Sequence, residues 1–123
     1  MDTMHHDCTV YKTVDFISKK WTLLILLELY KGEDTKRYSD IKNNMEEITP
    51  KVLSARLKEL EQQKLIKKTI DASEFPVKTY YQLTDMGLDF IKVIQAIKTW
   101  ALKWKDSNEL CESSNCKTCP LQS

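Results

Sequence analysis

The stretch from Thr49 to Asp85 restricts the fold more than any other part of the chain. It opens on Thr49-Pro50. A threonine hydroxyl accepts from the unpaired N–H groups of a first helical turn, and proline at the first helical position lacks an N–H that would have no partner there. The pair predicts a helix start, with the helix running from Lys51 to Gln63. Leu53, Leu57 and Leu60 stand at i, i+4 and i+7, one stripe of a helix turning about 100° per residue. Lys51, Ala55, Lys58 and Gln62 then point away from the leucines, flanked by Ser54 and Val52. Next come two strand patterns, Leu65 to Ile70 and Val77 to Leu83, the second alternating and rich in β-branched and aromatic side chains. The polar connector Asp71 to Pro76 joins them into a hairpin. Thr84-Asp85 caps another helix.

Upstream, Val10 to Tyr30 is dense in Leu and Ile and free of Gly and Pro, so it reads as helix. Lys19-Lys20 marks a joint that divides it in two, and Gly32 is the expected cap of the second helix. A polar loop follows. Tyr38, Ile41 and Met45 are spaced as one face of a short helix beginning near Ser39, and Glu46-Glu47-Ile48 reads as a turn. Downstream, over residues 85 to 105, Met86, Phe90, Val93, Ile97, Trp100 and Trp104 step by four and three, the seam of a coiled coil. Ile91, Ile94 and Ala101 make a second stripe. Either one stripe packs on the domain and the other takes a partner, or both form one wide buried face. From Ser107 to Ser123 the chain reads as a polar tail holding Cys111, Cys116 and Cys119.

The order is helix, helix, short helix, helix, strand, strand, helix. A helix-turn-helix followed by a β-hairpin is a winged helix-turn-helix, here an α+β fold, mainly α, with terminal dimerisation helices. The divisions are an N-terminal arm (1–9), the winged domain (10–84), a dimerisation helix (85–106) and the cysteine-containing tail (107–123). The major groove of B-DNA admits one helix, and the short side chains of Ser54 and Ala55 permit close approach to base edges. Over its 123 residues the chain carries 19 Lys and Arg against 18 Asp and Glu, a net charge of +1. That total excludes a bulk-charge coat for DNA, but not a local basic face. Between Lys51 and Lys68 six basic residues face two acidic ones. Candidate DNA contacts are therefore Thr49, Lys51, Ser54, Ala55, Arg56 and Lys58 on the helix, and Lys67, Lys68 and Lys78 on the hairpin. Arg56 lies nearer the leucines, so it either anchors the fold or reaches a phosphate. For each lysine the plain alternative is a solvated side chain.

Other classes are disfavoured. Two glycines cannot build a phosphate-cradling loop, and no apolar run approaches the roughly 20 residues of a membrane span. Met1 to His6 lacks the pattern of a signal peptide, so a cytoplasmic chain with reduced thiols is expected. Cys111, Cys116 and Cys119 offer three thiolates in nine residues, which fits Zn²⁺ or an iron–sulfur cluster if Cys8, His5 or His6 supplies a fourth ligand. A redox disulfide is the next reading, and no special role the last. A thiol oxidoreductase using Cys116 and Cys119 is weak, because such a pair usually opens a helix after a strand. No catalytic residues are assigned, and a winged-helix protein–protein adaptor is the remaining alternative.

The chain resembles the HxlR family of winged-helix regulators, close in fold to the MarR group. The likeness is carried by Cys8-Thr9-Val10, Lys19-Lys20-Trp21-Thr22-Leu23-Leu24-Ile25-Leu26, Arg37-Tyr38-Ser39-Asp40-Ile41, Ile48-Thr49-Pro50-Lys51-Val52-Leu53-Ser54, Arg56-Leu57-Lys58-Glu59-Leu60-Glu61, and Pro76 through Gly87. The resemblance implies a homodimeric transcriptional regulator on a palindromic operator. It makes residues 50–63 the recognition helix and residues 65–83 the wing, with terminal helices that dimerise through Phe90, Val93, Ile97, Trp100 and Trp104. Two recognition helices would then lie about 34–36 Å apart. The resemblance also makes Cys8 a candidate sensing thiol, bridging to a cysteine near the partner's C-terminus. Two positions depart from the family: Lys19 stands where Gly is frequent, and Thr79 where Glu precedes the wing tyrosine.

Overall fold

The computed structural model describes residues 6–105 and 108–119. In chain order its elements are α1 (Thr9–Ile17), α2 (Thr22–Tyr30), β1 (Thr35–Arg37), α3 (Tyr38–Asn44), α4 (Pro50–Gln62), β2 (Ile66–Asp71), β3 (Lys78–Leu83), α5 (Asp85–Trp104) and α6 (Glu109–Ser113). The winged helix-turn-helix is present. Among these residues no helix is long and apolar enough to cross a membrane.

The core forms where the apolar stripes of four helices meet the sheet. Ile25, Leu26 and Leu29 of α2 are buried, with Ile41 and Met45 from the α3 region. Leu53, Leu57 and Leu60 of α4 and Leu83 of β3 close the core, with Ile91 and Ile94 of α5. Each such side chain contributes about 1.5–3 kcal/mol on removal from water. The α2 helix packs against α3, α4, α5 and β3, and so stands at the centre as its all-round apolar sequence demands.

The antiparallel sheet has the order β1-β3-β2. Ile66 pairs with Leu83 and Asp71 with Lys78 in the wing, while Thr35 pairs with Gln82 and Arg37 with Tyr80 on the other edge. The sequence places a polar loop where β1 lies. Thr35-Lys36-Arg37 has no apolar alternation, and only pairing with β3 makes it a strand.

Helix ends explain most of the local structure. The Thr49 hydroxyl accepts from the Val52 N–H at 3.2 Å, and the Thr84 hydroxyl from Gly87 at 3.1 Å. The α4 helix ends in a Schellman motif: Leu65 N–H donates to Leu60 O and Lys64 N–H to Glu61 O, with Lys64 left-handed at φ 66°. At the α1–α2 joint the left-handed residue is Trp21, φ 85°, and not Lys19. A lysine in the family's glycine position therefore strains nothing there. The cap of α2 is Lys31, extended, and Gly32 takes φ 67° one place later.

The largest departure from the expected layout is the segment 108–119, read from sequence as a polar tail. It returns to the body. Asn108 caps α6, its side-chain oxygen accepting from Cys111 N–H at 3.0 Å, and Lys98 Nζ donates to Ser114 O at 2.7 Å. Lys117 O accepts from Gly32 N–H at 3.0 Å, while Lys117 Nζ donates to Tyr30 O at 3.2 Å and sits 5.1 Å from the Tyr30 ring centre. The Tyr30 carbonyl belongs to the last turn of α2 and has no donor within the helix, so the lysine meets an existing need.

Candidate DNA interface and the thiols

The outward face of α4 exposes Lys51, Ser54, Ala55 and Lys58, with Thr49 exposed at its start. These five are brought together as expected, because the same 3.6-residue turn that buries Leu53, Leu57 and Leu60 turns them out. Tyr38, on the same face of α3 as Ile41, packs against the core and also reaches this rim. Its hydroxyl lies 3.4 Å from Ser54 Oγ and 3.4 Å from Pro50 O. A tyrosine in place of a purely apolar residue in the α3 stripe is the signal that could have revealed it.

Arg56 is turned inward. Its guanidinium meets both carboxylate oxygens of Glu59 at 2.9 Å, and Lys19 reaches the same carboxylate at 3.1 Å. Partial burial pushes the Glu59 carboxyl up. The hydrogen bonds from Lys19 and Arg56 outweigh this and hold it below the usual carboxylate range. Of the two roles open to Arg56, the anchor is the one the geometry favours.

On the wing, Lys67 and Lys78 lie on one face of the hairpin and Lys68 on the other, since residues alternate along β2 and Asp71 pairs with Lys78. The Ser73 hydroxyl donates to Asp71 at 2.6 Å and holds its carboxyl below the usual range, with the Lys78 charge adding to the effect. Phe75 at the hairpin tip is 95% exposed.

The two stripes of α5 separate as one of the two readings expects. Ile91 and Ile94 are 3% and 9% exposed, whereas Trp100 and Trp104 are 55% and 65% exposed. Val93 and Ile97 are exposed beside them, and Phe90 is half-buried. Val10 and Val14 of α1 are exposed too. A single chain thus presents apolar faces on both terminal helices, beyond the scattered apolar residues of an ordinary surface.

Cys8, Cys111, Cys116 and Cys119 are all free and half-buried. Among the described residues no three His, Cys, Asp or Glu side chains stand together as ligands for one ion. The three tail thiols are thus not gathered into a zinc or iron–sulfur site within one chain. His6 stacks on Tyr11 with ring centres 5.0 Å apart. His5 lies outside the described residues.

The chain matches the HxlR-like helix-turn-helix family over residues 16–109. It is 37% identical over 99 residues to the uncharacterized HTH-type transcriptional regulator YvaP of Bacillus subtilis (strain 168), covering 80% of this chain and 89% of YvaP. To the HTH-type transcriptional regulator YodB of the same organism it is 34% identical over 97 residues, covering 78% and 84%. Among solved structures, the reduced form of the B. subtilis regulator YodB superposes with a TM-score of 0.70 at 31% identity, covering 83% of this chain and 98% of that one. The oxidized form of the redox regulator HypR gives 0.69 at 26%, covering 80% and 99%. YvaP and YodB are HTH-type transcriptional regulators, and HypR is a redox regulator. The chain belongs to the HxlR-like helix-turn-helix family and is a transcriptional regulator of the helix-turn-helix type.

Proposed function

We propose that the protein acts in the cytoplasm as a homodimer that binds a palindromic operator in double-stranded DNA, with α4 in the major groove. The observation that carries this reading is the outward face of α4, where Lys51 and Lys58 flank the short side chains of Ser54 and Ala55. Short side chains allow approach to base edges, and the flanking lysines meet phosphates. Thr49 at the helix start, together with Lys67 and Lys78 on one wing face and Lys68 on the other, extends the contact. Arg56 serves by fixing Glu59 and the joint at Lys19. Dimerisation runs through Val93, Ile97, Trp100 and Trp104, with Phe90 at the edge of the seam.

In this reading the signal is carried by thiols. Cys8, at the N-terminal end of α1, reacts with oxidants and links to a cysteine of the partner's C-terminal segment, and oxidation changes the spacing of the two α4 helices. The likeness to the redox regulator HypR in its oxidized form and to YodB in its reduced form supports it.

Fluorescence anisotropy with operator-containing DNA tests the contact. The Lys51→Glu/Lys58→Glu variant is expected to lose affinity, and its plot of log affinity against log salt to flatten by about one unit per lost phosphate contact. A protein–protein adaptor would show neither change.

A further inference from the structure

The segment 108–119 holds an arrangement outside the DNA face, and residues 110–119 lie beyond the family match. An open cavity of about 540 Å³ lies between the second half of α5 and this segment, lined among others by Lys98, Thr99, Lys103, Glu112, Asn115 and Cys116. Its volume falls within the roughly 300–1,000 Å³ of small-molecule sites. Lys98, whose ammonium also donates to Ser114 O, Lys103 and Glu112 give its lining a net positive charge, which suits an anionic visitor. Cys116 is its nucleophile. Only Lys117 and Thr118 separate Cys116 from Cys119, and residues 116–118 form a turn. The hydrogen bond of that turn runs from Thr118 N–H to Asn115 O, so Cys116 stands inside it and Cys119 one residue past its end, a spacing that a disulfide of about 4.4–6.8 Å between Cα atoms can span.

The residue between the two thiols is the one that fastens the segment to the body. Lys117 takes the Gly32 N–H on its carbonyl, gives its ammonium to Tyr30 O, and stands 3.6 Å from Asp34. Its own N–H is held by Asn115 Oδ1 at 2.8 Å, and Thr118 N–H closes the turn on Asn115 O at 3.0 Å. Both anchors of Lys117 therefore depend on the shape of this turn. Bridging the thiols fixes their Cβ atoms at about 3.8 Å, and the backbone enclosed in the new ring is Lys117-Thr118.

We infer that Cys116 and Cys119 form a dithiol site for small disulfides bearing carboxylates, and that closing the bridge detaches Lys117 from the end of α2. The Cys116 thiolate attacks one sulfur of the small disulfide, forming a mixed disulfide and releasing one small thiol. The Cys119 thiolate then attacks the Cys116 sulfur and releases the second. The small disulfide is reduced, the protein dithiol is oxidised, and the two protein protons leave on the two small thiols. Lys98 and Lys103 hold the carboxylates during the first attack.

The test uses the reduced full chain without DNA, so its outcome is independent of operator binding. The protein is treated with glutathione disulfide, which carries carboxylates, or with neutral hydroxyethyl disulfide. Linkages are mapped by peptide mass spectrometry, and the Gly32 amide is followed by hydrogen exchange in NMR spectra. A Cys116–Cys119 bridge is expected, formed several-fold faster with glutathione disulfide, and Lys103→Gln should narrow that difference. Bridging should speed exchange at Gly32 by about tenfold or more. Cys119→Ser should stop at the mixed disulfide on Cys116 with Gly32 still protected, and Cys8→Ser should change nothing. A bridge from either thiol to Cys8 or Cys111, equal rates for the two reagents, or an unchanged Gly32 amide in the bridged chain would each overturn the inference.

Discussion

Glu28 is a carboxylate inside an otherwise apolar helix, 3% exposed between Ile25 and Leu29. A lone buried charge is costly, so the surroundings must supply partners. Lys36 Nζ meets Glu28 Oε2 at 2.9 Å and also donates to the Glu28 carbonyl, while Asn44 Nδ2 donates to Oε2 at 2.8 Å. One side chain thus ties α2 to β1 and to the end of α3. Removing the carboxylate alone leaves the Lys36 ammonium enclosed with one carbonyl. Glu28→Leu is expected to lower the unfolding free energy by about 3–5 kcal/mol. Glu28→Leu with Lys36→Met should recover most of that loss, because two apolar side chains leave no charge to satisfy. Urea melts at one protein concentration measure both. Equal losses in the single and double variants would show that packing, and not the unpaired ammonium, sets the cost.

Between elements, the tightest joint is where α5 leaves the wing. Thr84 N–H donates to Leu65 O at 3.1 Å, and the Thr84 hydroxyl to Lys64 O at 2.7 Å. This brings the first turn of α5 against the backbone that starts β2. Gly87 sits at the contact, and a Cβ there would stand 2.1 Å from Leu65 O. The obstacle is backbone, so it cannot turn aside as a side chain would. Gly87→Ala should destabilise by about 1–3 kcal/mol, with the hairpin displaced from α5. Thermal melts and amide shifts in β2 would report it, and a neutral substitution would mean that the approach is looser than described. None of this was legible in the chain, where Gly87 is only a weak helix former inside a strong heptad pattern. What was legible followed from periodicity: the α4 leucines, the alternating β3 and the capped start of α5 each declare themselves within a few residues. The strand β1 did not, since its identity lies in pairing with β3 some forty-five residues later. The inward lean of Arg56 was legible from its place beside the leucines, but the choice of anchor over phosphate contact was not, since it depends on Lys19 at the α1–α2 joint meeting Glu59 of α4. The docking of the cysteine-bearing segment was hidden for the same reason, its anchor being Lys117 on Tyr30.

At the scale of the whole molecule, the core is complete and the surface is not. Ile91 and Ile94 fill the domain, so the exposed stripe of Val93, Ile97, Trp100 and Trp104 finds no cover within the described residues of one chain. Such a stripe at coiled-coil spacing suits a second copy of itself, because a two-fold axis sets the same residues against one another. The same two-fold would carry two α4 helices to two half-sites. Binding one half-site then holds the other helix at high effective concentration over its own, an avidity of about 10²–10⁴ that a lone chain lacks. Two consequences follow that a monomeric binder would not show. The melting temperature of the native protein should rise with protein concentration, since association stabilises only the folded form. The Ile97→Glu/Trp100→Glu variant, altered only at exposed positions, should keep its circular dichroism, sediment as a monomer and bind a full operator no better than a single half-site. Sedimentation velocity and anisotropy titrations on both DNA lengths separate the cases. A variant that sediments as a monomer yet retains native affinity for the full site would detach dimerisation from DNA binding, and a variant that still sediments as a dimer would move the interface away from α5.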